Sequence, residues 1–89
     1  MTNLCIRREN RVGMKFLISA DMRDNTCIIS KGKDKITVKA NIHDISQAWW
    51  NWEHGMLAQQ AFHFMSPDER DFLITGLTPE QWNLMFGED

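Results

Sequence analysis

The sequence lacks several features that would place its 89 residues in a specialised class of protein. It has no apolar run near the roughly 18 to 20 residues that a membrane-spanning helix requires, and it does not begin with the basic-then-apolar layout of a secretory signal. The two cysteines, Cys5 and Cys27, are too few for a disulfide scaffold. We therefore expect a cytoplasmic protein with no membrane partner, in which both cysteines are reduced and buried.

The sequence is equally poor in motifs that carry chemistry. It contains no HExxH or CxxC metal pattern, no GxSxG nucleophile turn, and no glycine-rich loop of the Walker or GxGxxG type. The histidines His43, His54 and His63 are eleven and nine residues apart, which matches no metal-binding template. We expect no enzymatic activity, no cofactor and no metal site.

The composition that remains is that of an ordinary globular protein. Apolar residues make up 43% of the chain and charged residues 25%, which argues against disorder and low-complexity linkers. A chain of this length has room for one hydrophobic core. Residues 1–89 are therefore predicted to form a single domain.

Charge is divided unevenly along the chain. Residues 1–42 carry nine lysines and arginines against four acidic residues, a net charge of +5. Residues 43–89 carry eight acidic residues and a single base, Arg70, for a net charge of −7. Such asymmetry bears on partners rather than on fold. Because Arg70 is alone in the acidic half, we expect it to form an ion pair, for instance with Glu53 or Asp71.

The basic half predicts an antiparallel sheet. Its clearest strand spans 35–42, where apolar residues alternate with polar ones: Ile36, Val38, Ala40 and Ile42. Two apolar runs, at 14–20 and 26–30, precede this strand, and the connections are too short to hold a crossover helix. We predict a three-stranded meander, to which residues 4–8 add a fourth strand at the edge.

The acidic half predicts helices. Asp44, with Gln47 three positions later, can cap a first helix whose apolar side chains fall near one face: Ile45, Ala48, Trp49, Trp52 and Met56. Gly55 either ends this helix or lies inside it, and we favour a continuous or kinked helix to about Phe64.

Two shorter helices should follow. Ser66 and Thr78 each precede a proline and have Glu69 and Gln81 three positions later, and Gly76 and Gly87 supply the stops. Such brief helices need packing, which we assign to six apolar residues: Phe72, Leu73, Leu77, Trp82, Met85 and Phe86. The predicted fold is thus α+β, a three- or four-stranded antiparallel meander packed by one long helix and two short C-terminal helices.

The tryptophans are the most unusual feature of the composition. Trp49, Trp50 and Trp52 fall within four positions. On a helix Trp50 lies about 100° from Trp49, so at least one indole should reach the surface. Trp50 either covers the short C-terminal helices or anchors a binding surface, because tryptophan is enriched at interface hot spots.

Two charged surfaces are candidates for binding. On the acidic half we predict a partner-binding surface made of Trp50, Glu53, Asp68, Asp71 and Glu80. The alternative is a nucleic-acid surface on the basic strands, made of Lys31, Lys33, Lys35 and Lys39. Lysines on an exposed strand also prevent edge-to-edge aggregation, which is a second explanation of the same residues.

The helical half also carries a spaced motif. It reads Trp52-x-x-Gly55, Gln59-x-Ala61-Phe62, Ser66-x-x-Glu69-Arg70-x-Phe72-Leu73-Ile74-Thr75-Gly76 and Thr78-x-x-x-Trp82-x-x-x-Phe86. This pattern, within residues 49–86, resembles small bacteriophage and mobile-element proteins of unknown function. The chain departs from the pattern at His63, where those proteins often have proline, and at Met65, where they have leucine.

The resemblance implies an origin rather than a mechanism, and it places the protein in the cytoplasm of a host cell. A phage protein of this size can block a surface more readily than it can build an active site. Our hypothesis is stoichiometric binding to a host protein, inhibiting a host or defence protein as anti-CRISPR proteins do. The alternatives are a nucleic-acid-binding accessory module that uses the basic strands, and a homodimer in which the sheet of one copy contacts the helices of another.

Overall fold

The computed structural model describes residues 5–21 and 24–86. Within them, four strands come first: β1 (Cys5–Glu9), β2 (Lys15–Asp21), β3 (Thr26–Lys31) and β4 (Asp34–Val38). Four helices of the same described residues follow: α1 (Ile42–Glu53), α2 (Ala58–Ala61), α3 (Pro67–Thr75) and α4 (Pro79–Phe86). The predicted α+β class is confirmed, with an antiparallel sheet in the first half of the chain and one long helix in the second.

The sheet is a meander with strand order β1-β2-β3-β4, and each neighbouring pair is antiparallel. The expected edge strand is confirmed as β1, although Leu4 lies outside the described residues. Ile18 pairs with Ile6 on one side and with Ile29 on the other, and Ile29 pairs with Ile36. These residues share the inner face of the sheet, which the helices cover.

The last strand is shorter than its alternation predicts. β4 ends at Val38, where the Ala40 N–H donates to the Val38 carbonyl oxygen at 2.9 Å and turns the chain out of the sheet. Asn41 then caps α1, because its side-chain oxygen accepts from the Asp44 N–H at 2.8 Å. The predicted cap at Asp44 is therefore wrong by three positions. Ala40 and Ile42 are still buried, although Ala40 lies in the turn after β4 and Ile42 lies at the start of α1.

The predicted helix to Phe64 is also wrong, because α1 ends at Glu53. Gly55 has φ of 108°, a conformation that glycine adopts without strain. Arg11, in the turn between β1 and β2, donates to the Trp52 carbonyl oxygen at 2.9 Å and to the Met56 oxygen at 3.3 Å. A guanidinium on the Trp52 carbonyl, in the last turn of α1, stabilises the helix end. Met56 consequently lies beyond the helix and is exposed.

The caps of the short helices are confirmed. The Ser66 hydroxyl accepts from the Glu69 N–H at 3.2 Å, and the Glu69 carboxylate accepts from the Ser66 N–H at 2.9 Å. Thr78 and Gln81 exchange the same pair of bonds at 3.2 and 3.0 Å. Gly76 ends α3 in the left-handed conformation, whereas the predicted stop at Gly87 lies outside the described residues.

The core lies between the inner face and the helices. Its centre is a cluster of five buried aromatic rings, joined by contacts of 5.4–5.7 Å between ring centroids: Phe16, Trp49, Trp52, Phe62 and Phe72. Edge-to-face and tilted contacts at these distances add to the stability from burial alone. Phe72 and Leu73 pack as predicted, but Met85 and much of Trp82 are exposed. α4 also has a polar contact with the sheet, because Gln81 donates to the Asp34 carboxylate at 2.9 Å.

The turn between β1 and β2 joins the sheet to the helices. Asn10 is only 7% exposed, and its amide donates to the carbonyl oxygens of Leu73 at 2.9 Å and Ile74 at 3.3 Å. Its side-chain oxygen accepts from the Val12 and Met14 N–H groups at 3.1 and 2.8 Å. This buried amide is therefore fully bonded, as a buried polar group must be.

Candidate interaction surfaces

Trp50 lies on the solvent side of α1. The helix places Trp49 and Trp52 in the core and leaves the Trp50 indole 54% exposed. The His54 ring stacks on that indole, with 3.8 Å between centroids and 23° between planes. The His54 Nδ1–H donates to the Trp50 carbonyl oxygen at 2.7 Å, one helical turn away. The prediction that one indole reaches the surface is confirmed, and Trp50 is held in place there by its neighbour.

A groove of about 840 Å³ surrounds this indole. It is lined by Arg8, His43, Ser46, Gln47, Trp50 and Glu53. Five of these residues repeat at three- and four-residue intervals along α1, so they form its polar stripe. Arg8 projects from β1 at the other wall. The structure therefore brings together Trp50 and Glu53, two of the five predicted partner-binding residues, and adds Arg8, which the sequence analysis missed.

The other three predicted acidic residues lie elsewhere. Asp71 lines a separate groove of about 470 Å³ between α2 and α3. Asp68 and Glu80 are exposed in the first turns of α3 and α4 and line neither groove. Carboxylates at these positions are favoured by the positive end of the helix dipole. The predicted acidic surface is thus divided among several elements.

Arg70 binds backbone oxygens. Its guanidinium donates to the Met65 carbonyl oxygen at 2.6 Å and to the Phe62 oxygen at 3.4 Å, and so closes the segment between α2 and α3. The expected ion pair with Glu53 or Asp71 is not formed within the part of the chain that the structure describes. Charge-assisted hydrogen bonds to two carbonyl oxygens therefore take the place of the expected ion pair with a carboxylate.

The four predicted lysines do not share a face. Lys35 is exposed on the outer face of the sheet, which we define by the cross-strand row Arg7, Leu17, Ser30 and Lys35. Lys31 pairs with Asp34 and so lies on the opposite face, where its methylene stem covers Gly76. Lys33 is exposed in the turn before β4, and Lys39 is exposed just after that strand.

Two further cations belong to the outer face. Arg7 occupies the same row as Lys35, and Lys15 lies opposite Glu9 in the adjacent row. Arg7, Lys15, Leu17 and Ser30 line a groove of about 700 Å³, together with other residues that include Glu9 and Glu53. Since Arg8 and Glu53 line this groove and the Trp50 groove, the two surfaces adjoin at the edge strand β1.

The edge of β1 is partly occupied by side chains. The Arg7 carbonyl oxygen accepts from the Arg8 guanidinium at 2.8 Å, and the Glu9 oxygen accepts from the Trp49 indole at 2.8 Å. These acceptors would otherwise be open to a strand from another molecule. Two of the acceptors that a partner strand would need at this edge are therefore already used.

The cysteines lie on opposite faces of the sheet. Cys27 is fully buried on the inner face, and burial raises the pKa of its thiol. Cys5 is exposed on the outer face, with its sulfur 3.4 Å from the Ser19 hydroxyl. The expectation that both are buried is wrong for Cys5, because β1 is an edge strand and position 5 faces outward.

Among residues 5–21 and 24–86, no three or more His, Cys, Asp and Glu side chains are grouped so that they could hold a metal ion. None of the helices within these residues combines the length and the apolar character needed to cross a membrane. Comparison of the chain with family models, with curated proteins and with solved structures found no significant match.

Proposed function

We propose that this chain is a non-enzymatic protein-binding module that uses the Trp50 groove of α1. The observation that carries the proposal is the exposed, stacked indole. A tryptophan that covered the short C-terminal helices would be buried against them, whereas Trp50 is 54% exposed beside His54. Burying such a ring in a partner removes a large apolar area from water.

The setting of Trp50 suits an anchor. Its ring is held by the His54 stack, and His54 is held by its own bond to the Trp50 carbonyl oxygen. An immobilised side chain loses little conformational entropy when a partner binds, so more of the contact energy appears as affinity. Arg8 and Glu53 at the groove wall supply charges of both signs, which set orientation and the rate of encounter.

The partner that we propose is a host protein. The motif in residues 49–86 supports a bacteriophage or mobile-element origin, and the protein would act by stoichiometric occlusion, inhibiting a host or defence protein in the manner of anti-CRISPR proteins. The proposal places the occluding surface at Trp50 and Glu53. Asp68, Asp71 and Glu80 lie outside this groove, so mimicry of a continuous line of DNA phosphates is not part of it.

The experiment is capture from nuclease-treated host lysate, followed by purification of the retained protein and calorimetric titration. A 1:1 complex should form with the wild type. Trp50→Ala should weaken it about 30-fold, the effect of losing an interface hot spot. His54→Ala should weaken it less, because the indole remains but is no longer held.

Leu57→Ala is the matched control. Leu57 is 57% exposed, close to the value for Trp50, but it lines the groove between α2 and α3. Its truncation should leave the affinity within about twofold of the wild type, as for a residue outside an interface. Equal losses in Trp50→Ala and Leu57→Ala, or retention that depends on nucleic acid, would contradict the proposal.

A further inference from the structure

The outer face of the sheet is a second surface with its own chemistry. Its central row, Arg7, Leu17, Ser30 and Lys35, crosses all four strands. The next row consists of Cys5, Ser19, Ile28 and Thr37. All eight side chains are exposed or half-buried, so the face presents an aliphatic centre, hydroxyl groups and flanking cations to solvent.

The cations are placed at the margins of the aliphatic centre. Arg7 and Lys35 stand at the two edge strands, about 14 Å apart at a spacing of about 4.8 Å per strand. Lys15 lies on β2, one row nearer the turn between β1 and β2. Leu17, which is 37% exposed, lies between the two edge strands. Two carboxylates share the face: Glu9, opposite Lys15, and Asp21, at the far end of β2.

We propose that this outer face binds the backbone of single-stranded nucleic acid without sequence preference, with Arg7, Lys15 and Lys35 contacting phosphates. One strand of a duplex carries a phosphate about every 3.4 Å, so a span of about 14 Å corresponds to at most about four nucleotides. Hydroxyl side chains such as Thr37 also donate to phosphate and sugar oxygens. Bases of an unpaired strand expose flat apolar faces that can lie on Leu17 and Ile28, whereas a duplex keeps those faces stacked inside.

The cations of the outer face and the occupied acceptors at the β1 edge favour single-stranded nucleic acid over a strand from another protein. Phosphates are charged at every nucleotide, so three spaced cations meet partners in any register. A strand that paired with β1 would need its backbone groups, but the Arg7 and Glu9 oxygens already accept from side chains. Neither the central row nor the next row carries an aromatic residue on which a base could stack, so the binding is weak and tolerant of sequence.

The test is fluorescence anisotropy of labelled oligothymidine of 20 nucleotides, titrated with the full chain at 50, 100 and 200 mM NaCl. Neutralising three phosphates predicts a slope near −2 for log affinity against log salt, from about −0.7 per contact on a single strand. The triple variant Arg7→Gln, Lys15→Gln, Lys35→Gln should bind at least tenfold more weakly at 50 mM NaCl, with a slope near zero.

Lys31→Gln is the control for charge alone. It removes one positive charge from the opposite face of β3 and places an uncharged amide where the end of the lysine stem lies over Gly76. Its affinity should stay within twofold of the wild type, whereas Lys35→Gln alone should fall about threefold. Circular dichroism and thermal melting of each variant establish that the fold is intact. Equal losses in Lys31→Gln and Lys35→Gln would overturn the assignment to the outer face.

Three further outcomes decide between partners. Equal affinity for a duplex of the same length would overturn the choice of single strands. Competition by polyglutamate as effective as that by oligothymidine would overturn nucleic acid in favour of an acidic protein surface. Trp50→Ala should keep the oligonucleotide affinity, so failure of the protein-binding proposal and failure of this one are distinguishable.

Discussion

The sheet half and the helical half of the molecule are stabilised in different ways. Each strand of the sheet pairs with its neighbour in sequence across a connection of only a few residues, so its contacts are local. The helices after α1 have four, nine and eight residues, and helices of this length are marginal by themselves. They depend on contacts with distant parts of the chain, and the turn between β1 and β2 supplies two such contacts to the helical half. Asn10 of this turn bonds the end of α3, and Arg11 bonds the end of α1.

The largest loss of stability is expected from Asn10→Ala, which removes a contact between the sheet and the helices. The change removes four hydrogen bonds, two of them to the end of α3, and so takes a partner from one buried carbonyl group and from three part-buried backbone groups. We expect the free energy of unfolding to fall by about 3 kcal/mol. Urea denaturation measures this loss, and hydrogen exchange should show the amides of α3 losing more protection than those of β3.

Asn41→Ala is the reference for that variant. Asn41 is also a bonded asparagine, but its contact to the Asp44 N–H is local to one helix start. Loss of such a cap costs about 1 kcal/mol. If Asn10→Ala cost no more than Asn41→Ala, the turn would not have the supporting role that we assign to it.

A smaller effect is expected where the end of α3 meets the sheet. Gly76 has φ of 77°, and a Cβ there would lie 2.6 Å from Lys31 Cε and 2.9 Å from Met14 Sδ. Gly32 has φ of 62°, but a Cβ there meets nothing within 4 Å. Gly32→Ala should therefore cost about 1 kcal/mol for left-handed backbone alone. Gly76→Ala should cost about 1 kcal/mol more, since the two side chains must move aside.

Thermal unfolding of the two alanine variants measures that difference. Placing Gly76→Ala in a Lys31→Ala background removes the closer contact and should recover part of the extra loss. Equal destabilisation in the two glycine variants would show that the Lys31 and Met14 side chains move aside without lowering the free energy of unfolding.

Features set by neighbouring residues could be predicted from the sequence. The caps at Ser66 and Thr78 and the stop at Gly76 each depend on residues within four positions, and all three were found. The end of β4 could not be found in this way, because Ala40 and Ile42 are buried both in the predicted strand and in the actual turn and helix. A pattern of burial does not reveal which backbone produces it.

Features set by distant residues were missed. The end of α1 at Glu53 is stabilised by Arg11, more than 40 residues earlier, and no local pattern shows that contact. The lysines were misplaced for a related reason. Lys31 and Lys35 are four positions apart, but a two-residue turn at Gly32 and Lys33 separates them, so pairing puts them on opposite faces. Arg7 joins Lys35 only once the register of all four strands is known.

The weakest predicted change in stability involves the two cysteines, which lie on opposite faces of the sheet. Burial raises the pKa of the Cys27 thiol in the folded protein, whereas Cys5 is exposed. The folded thiol therefore holds its proton more tightly than the unfolded thiol, whose pKa is about 8.5. This contribution to stability is fully present below that value and declines as the pH rises from it toward the raised pKa.

Urea unfolding between pH 7 and 10 measures that decline, and the comparison of variants isolates it from the titration of lysines. Cys27→Ala should lose stability less steeply with rising pH than the wild type, while Cys5→Ala should follow the wild type. Iodoacetamide provides an independent measure, because only a thiol that reaches solvent reacts. Cys5 should be alkylated in the folded protein, and Cys27 only at the rate at which the sheet opens, so parallel labelling of both thiols would show that the inner face is not closed.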